Sequence, residues 1–250
     1  MSLIPLISGL GNMANALRRF CQEYQVSYST FDPAELLGNP GSELSIENYP
    51  NIVAIHFGGQ GRLDALVRYC EVRGIPIIQG STNVVVPSSN KIVIINATNL
   101  ALPMVRFMLA FPAFARTISR GMTTFVIESH PKDKKDVSGT ARAVVKALDL
   151  PEDIIFSARK PGEQVALGMP PDRYHAYHKI VFTGQSVKIS VETEVDSLEP
   201  CAKGAILLAQ ALRHNQFLKP EIDARGLWVP PGLYQITDPR VMKILQLTTG

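Results

Sequence analysis

The sequence predicts an α/β chain in two parts: an N-terminal doubly wound parallel sheet and a second α+β domain of mainly antiparallel sheet. Three observations carry the prediction. The first hundred residues alternate short Ile- and Val-rich runs with helical patterns. The first of those runs leads straight into a glycine-containing turn, ISGLGNMA. A long apolar/polar alternation, KIVFTGQSVKISVETEV at 179–195, comes only in the second half.

Taken in order, LIPLIS (3–8), QVSYSTF (25–31), NIVAIHF (51–57), IPIIQ (75–79) and KIVIINA (91–97) read as buried strands. Short β-branched runs bounded by turn residues suit strands covered on both faces. Between the first two, Met13, Leu17 and Phe20 fall on one helical face; between the third and fourth, Leu63, Leu66, Val67 and Cys70 do the same. Strands alternating with helices imply βαβ units and a parallel sheet. After residue 100 the rhythm changes. A helical stretch over 100–118, interrupted by Pro103 and Pro112, leads to a strand, TTFVIES (123–129), and then to a helix over 141–149. The alternation at 179–195 turns around Gly184-Gln185 and predicts an antiparallel hairpin. A helix over 203–215 and a Pro/Gly-rich tail complete the reading. The expected division is residues 1–99 with 203–250 as a dinucleotide-binding domain, and 100–202 as a substrate-binding and oligomerisation domain.

Composition narrows the function. The chain has 250 residues, 46% apolar and 19% charged, within the ordinary range for a globular protein. A net charge of +3 is too small to point to nucleic acid as a partner. No apolar run approaches the roughly 18 residues that cross a membrane. The N-terminus lacks the basic and small-residue features of a signal peptide. Cys21, Cys70 and Cys201 are odd in number and far apart, so neither a disulfide framework nor a CxxC metal site is expected, and the expected location is the cytoplasm. His175 and His178 read as strand or loop residues rather than metal ligands, since no cysteine or acid cluster joins them.

Two stretches carry chemistry. In ISGLGNMANALRRF, Gly9, Gly11 and Ala14 form G-x-G-x-x-A between a strand and a helix. Gly9 allows the tight turn, Gly11 lets backbone approach a pyrophosphate, and the helix N-terminus offers N–H groups and a positive dipole. Asp32 ends the second strand about 20 residues on, where an acid meets the ribose hydroxyls of NAD; it also reads as a turn residue or helix cap before Pro33. Together these make the first sheet Rossmann-like. Neither Pro33 nor Ala34 offers a cation for a 2′-phosphate, and Arg18 and Arg19 are expected to face solvent. NADH is therefore expected to bind at least as well as NADPH. The second stretch, ESHPKDKKDVSGTA (128–141), gathers cations ahead of a helix that Ser138 can cap. His130 can deliver a proton near neutrality, and Lys134 is a point charge suited to a carboxylate. A solvated basic loop in front of an ordinary cap is the plainer reading of the same residues.

This second stretch resembles the signature of the dihydrodipicolinate reductase family, E-(L/A)-H-H-x-x-K-x-D-A-P-S-G-T-A, through Glu128, His130, Lys134, Asp136, Ser138, Gly139, Thr140 and Ala141. Further segments are similar in the same order: GLGNMA; IHFGGQGRLDALVRYCEVRGIPIIQGSTN; NATNLALPM; His178 through Phe182; and PPGLYQITD. The chain departs from the family pattern at Pro131 (the second histidine), at His56 (the aspartate of D-F-T), at Thr193 and Leu198 (a histidine and an arginine), and by one missing residue before Ser138.

The resemblance implies an NAD(P)H-dependent reduction of a cyclic, unsaturated imino acid by a homotetramer. The substrate implied is 4-hydroxy-tetrahydrodipicolinate, in the diaminopimelate route to lysine. It implies Gly9, Gly11, Asn12, Met13, Asp32, Phe57, Gly80, Ser81, Thr82 and Asn99 around the dinucleotide. His130 would be the proton donor and Lys134 a carboxylate anchor. Ser138, Gly139 and Thr140 would hold a carboxylate, and no metal is implied. The lost cations favour one alternative, a relative that reduces another imine or enone; a dinucleotide-binding protein without turnover is a further reading, against which the retained His130 and Lys134 argue.

Overall fold

The computed structural model describes residues 3–32, 51–216 and 229–249. The chain divides into two compact units, one of residues 1–101 with 201–250 and the other of residues 102–200.

The first unit is built on a parallel sheet. Its strands are β1 (Ile4–Ser8), β2 (Ser29–Thr30), β3 (Ile52–His56), β4 (Ile77–Gln79), β5 (Val93–Asn96) and, from much later in the chain, β10 (Gly232–Gln235). Their order across the sheet is β2-β1-β3-β4-β5-β10, with every pair parallel. All five residues of β3 are buried, the signature of a strand covered on both faces. Helix α1 (Asn12–Glu23) joins β1 to β2 and buries Ala14, Leu17, Phe20 and Cys21. Helix α2 (Gln60–Arg73) joins β3 to β4, and its Leu63, Leu66, Tyr69 and Cys70 pack with Leu6, Ile52 and Ile77 of the sheet. Gly74, in the left-handed region at φ 66°, ends α2.

Two expectations change here. The second strand starts at Ser29 rather than 25, because the preceding residues close α1: Gln25 adopts φ 54° and the Val26 N–H bonds the Cys21 carbonyl. The Pro/Gly-rich tail, to which no element was assigned from sequence, supplies β10, which pairs with β5, and then helix α7 (Pro239–Thr249).

In the second unit, helix α3 (Leu102–Ile118) leads to β6 (Thr123–Ser129), helix α4 (Gly139–Ala147), β7 (Ile155–Ala158), the short helix α5 (Pro161–Ala166), β8 (Ala176–Gly184) and β9 (Val187–Val195). Helix α6 (Glu199–Gln216) then carries the chain back to the first unit. Neither proline interrupts α3. Pro103 sits in the first turn, where its N–H would be unpaired anyway, and Pro112 is accommodated within a continuous helix.

The sheet order is β7-β6-β8-β9, with β6–β7 parallel and the other two pairs antiparallel. The hairpin turn lies one residue beyond the sequence expectation. Gly184 pairs with Val187, and Gln185 and Ser186 adopt φ 51° and 61° as the two central residues. Val126, Ile180 and Phe182 on the inner face meet Phe111, Ala115, Val144 and Val145 of the helices. Among the described residues no helix is long and apolar enough to cross a membrane, and no cluster of His, Cys, Asp and Glu could hold a metal ion.

Candidate active site

In the first unit, parallel pairing brings the carboxyl ends of β1, β3, β4 and β5 side by side. The Phe57 N–H bonds the Ser8 carbonyl at 2.7 Å, Gly80 N–H the His56 carbonyl at 2.9 Å, and Ala97 N–H the Gln79 carbonyl at 2.7 Å. Strand order reverses at β1, which lies between β2 and β3, and open α/β sheets bind ligands at the carboxyl ends beside such a reversal. Gly9, Gly11, Asn12 and Met13 follow β1, Asp32 follows β2, and Phe57 follows β3. Gly80, Ser81 and Thr82 follow β4, and Asn99 follows β5.

Two glycines in this rim are required by their neighbours. Gly9 has φ 133°, and a Cβ there would lie 2.2 Å from the Phe57 carbonyl oxygen; at Gly80 it would lie 2.2 Å from the Phe57 ring. Gly11 differs, since a Cβ on it would meet nothing within 4 Å. It caps α1 without a side-chain hydrogen bond, so open space lies in front of a helix N-terminus. This arrangement fits a dinucleotide pyrophosphate.

Other rim residues are tied down. Ser81 Oγ donates to the Gly58 carbonyl at 2.8 Å, and Asn99 Oδ1 accepts the Ala101 N–H at 3.1 Å ahead of α3. Asn99 thus acts on the start of α3.

His56, buried at the end of β3, accepts the Gly58 N–H on Nε2 at 3.2 Å; Nδ1 therefore carries the proton and donates to Ser8 Oγ at 3.1 Å. Burial pushes its pKa down to about 4, so the ring is neutral and ties the β1 and β3 turns together. Two arginines correct the sequence reading. Arg18 does not simply face solvent: it folds back and donates to the Gly9 carbonyl at 2.7 Å. Arg62 crosses Gly58 and donates to the Phe31 carbonyl at 2.8 Å, placing a guanidinium at the residue before Asp32. Pro33 and Ala34 lie outside the described residues.

In the second unit, the strand register lays Ser157, Glu128, His178 and Thr193 across β7, β6, β8 and β9 as one polar rung. Period-2 alternation then brings His130, just past the end of β6, to the same side as Glu128. Glu128, with no exposed surface, accepts from His130 Nδ1 at 2.5 Å and Ser157 Oγ at 2.6 Å, and from both terminal nitrogens of Arg159 at 2.5 and 3.0 Å. Burial alone would raise the Glu128 pKa, but hydrogen bonds from His130, Arg159 and Ser157 outweigh it and hold the carboxyl at about 2.

Because Nδ1 of His130 donates to Glu128, Nε2 is the atom left to exchange a proton; it has no hydrogen-bond partner among the described residues. Burial lowers the His130 pKa from its ordinary range against the pull of Glu128. Its backbone carbonyl accepts from Gln164 at 2.8 Å. The His178 ring stands edge-on to His130 at 5.3 Å, and burial, with the charge of His130, pushes its pKa down to about 3.

Ser138 caps α4 as the sequence predicts, its Oγ accepting the Thr140 N–H at 3.2 Å. That oxygen also lies 2.7 Å from His178 Nε2, and the residue is buried. Ser138 therefore shapes the helix N-terminus from beneath, while Gly139, with open space before it, and the half-exposed Thr140 present it. Lys134 lies on the intervening loop and is half-exposed.

Sequence reading missed Arg159 and Ser157, and it passed over His178 as a strand residue. The one local signal was the Glu-x-His spacing at 128–130; the partners come from register.

The family model described as "Dihydrodipicolinate reductase, C-terminus" matches residues 104–221, which contain this second cluster. A 4-hydroxy-tetrahydrodipicolinate reductase from Alkaliphilus oremlandii is 24% identical over 222 residues, 81% of this chain and 86% of that protein. The probable 4-hydroxy-tetrahydrodipicolinate reductase 2, chloroplastic, of Oryza sativa subsp. japonica is 26% identical over 166 residues, 59% of this chain. The match spans about half (50%) of the rice protein. In fold, the dipicolinate-bound dihydrodipicolinate reductase from Paenisporosarcina sp. TG-14 superposes with a TM-score of 0.59 at 13% identity, covering 96% of this chain and 100% of that one. The order of the motifs, the match over residues 104–221 and the shared fold agree in supporting a likeness between this chain and the dihydrodipicolinate reductases, as a divergent relative.

Proposed function

We propose that this chain is an NAD(P)H-dependent reductase of a cyclic, unsaturated imino acid, with 4-hydroxy-tetrahydrodipicolinate of the diaminopimelate route to lysine as the first substrate to test. The observation that carries the reading is the Glu128–His130 pair, which leaves Nε2 open on a loop shared with Lys134 and the N-terminus of α4. A nicotinamide cofactor, when bound, supplies hydride to the conjugated ring. His130 delivers the proton that completes the reduction, from the nitrogen opposite its bond to Glu128. Lys134, with the Gly139–Thr140 end of α4, holds a substrate carboxylate. Freshly prepared 4-hydroxy-tetrahydrodipicolinate should support NADH oxidation above simpler cyclic imines. No oxidation with any of them refutes the reading.

A second reading is favoured by one observation. Thr193 Oγ1 lies 3.3 Å from His178 Nδ1, so this position supports His178 with a neutral hydroxyl, and Pro131 and Leu198 add no charge. A substrate with one carboxylate needs fewer cations, and higher turnover of a monocarboxylate imine would establish it.

For the cofactor, Gly9, Gly11, Asn12, Met13, Asp32, Phe57, Gly80, Ser81 and Thr82 form the cradle. NADH binds through Asp32 at least as well as NADPH. Arg62, beside Phe31, is the group that meets a 2′-phosphate. Arg62→Ala is expected to weaken NADPH roughly tenfold while sparing NADH, in line with a charge-assisted hydrogen bond. Fluorescence titration of both cofactors reads this directly, and equal losses refute the assignment. We assign the enzyme to the cytoplasm and to a homo-oligomer, a tetramer by family resemblance. Phe125 and Phe156 stand exposed on adjacent strands of the second sheet, an apolar surface suited to self-association.

A further inference from the structure

Arg159 follows β7, and no sequence motif pointed to it. A guanidinium has five N–H groups in a fixed plane. Here each has an acceptor: Nη2 and Nη1 grip the two Glu128 oxygens at 2.5 and 3.0 Å, and their remaining protons reach the carbonyls of Asp136 at 3.3 Å and Ala158 at 3.2 Å. Nε donates to the Lys134 carbonyl at 3.0 Å. One side chain, about one-fifth exposed, thus holds two things at once. One is the carboxylate that orients His130. The other is the backbone of the loop that carries Lys134.

We infer that Arg159 is a positioning residue that sets His130 and Lys134 in register, acting on the first through Glu128 and on the second through the loop carbonyls. The inference rests on the reductase reading for what His130 and Lys134 do, but not for the coupling itself. The two halves of the role differ chemically. Neutralising Glu128 needs only a positive charge. Bridging Glu128 to two carbonyls needs the planar fork, which an ammonium lacks.

The groups that face His130 are Glu128 on β6, Lys134 on the loop, Arg159 after β7 and His178 on β8. Removing Arg159 leaves Glu128 without the guanidinium that grips both of its oxygens and removes a cation that opposes protonation of His130. The experiment is an NMR titration of the histidine ring signals in the substrate-free protein, with His130→Gln identifying the resonance, alongside steady-state kinetics. Arg159→Met is expected to raise the His130 midpoint by about one pH unit. Arg159→Lys should return the midpoint towards wild type yet still raise KM roughly tenfold, because the Lys134 loop is no longer held. A merely structural arginine would lower stability without moving the His130 titration.

An unmoved midpoint in folded Arg159→Met, or a wild-type KM in Arg159→Lys, overturns the proposal. Should Arg159→Met not fold, the lysine variant decides it through KM. Should the wild type reduce no imine at all, the functional reading fails, and the titration still decides whether Arg159 governs His130.

Discussion

Replacing His130 by glutamine is expected to lower kcat on the true substrate roughly 10²–10⁴-fold, the range lost when a general acid is removed. Glutamine can still meet Glu128 but carries no transferable proton. The pH profile should change with it. Burial lowers the His130 pKa, so the donor is lost as pH rises through a value below the ordinary histidine range. Wild-type kcat/KM should therefore fall along a basic limb that the variant lacks. Lys134→Ala should fail differently, raising KM, because a charge that holds a carboxylate acts on ground and transition states alike. NADH affinity should survive both changes, since the cradle proposed for the dinucleotide follows β1, β2, β3 and β4 of the first unit. Near-normal turnover by His130→Gln would reduce the basic stretch to a carboxylate clamp.

Acidification should destabilise the protein before most of its carboxylates are titrated. His56 and His178 are buried and neutral, with pKa values pushed to about 4 and about 3. In the unfolded chain both take up a proton near 6.5. The folded-state values are depressed, so the stability these groups contribute is complete above about 6.5 and drains away as pH falls towards 4. Over that window each histidine costs its own unit about 1.4 kcal/mol per pH unit. Two pH units then consume a large share of a typical domain's stability of about 5–15 kcal/mol. Glu128, held at about 2, adds its loss only below the ordinary carboxylate range. Urea midpoints measured from pH 7 to 4.5 should fall steadily, and His178→Asn should flatten the decline of the second unit. Constant midpoints over that range would show that neither ring is held neutral.

The parts of this molecule legible in its sequence are those fixed by local pattern. β-Branched runs gave the parallel strands, the Gly9–Ala14 spacing gave the turn before α1, and Ser138 announced the start of α4. The Glu-x-His spacing at 128–130 carries a period-2 signal for the same side of the strand, which the sequence reading did not use. The polar rung could not be read that way, because Ser157, Glu128, His178 and Thr193 are neighbours only once four strands have paired in one register. Arg159 and Arg62 were hidden for a related reason: long side chains reach across turns, and nothing in the adjacent sequence says where the guanidinium ends. The last strand was missed because a short edge strand flanked by Pro and Gly carries little β signal of its own.

The distance along the chain between β5 and β10 has a consequence for synthesis. β5 ends at Asn96, and the strand that covers its edge begins only at Gly232. At ribosomal rates of about 5–20 residues per second, that edge waits on the order of ten seconds for its partner. During that interval the nascent sheet presents unpaired backbone along β5, a template for pairing with another chain. The second unit, whose strands all lie within residues 123–195, is synthesised before β10 begins. Its early folding gives the growing chain one finished body while the first waits, so chaperone dependence should concentrate on the parallel sheet.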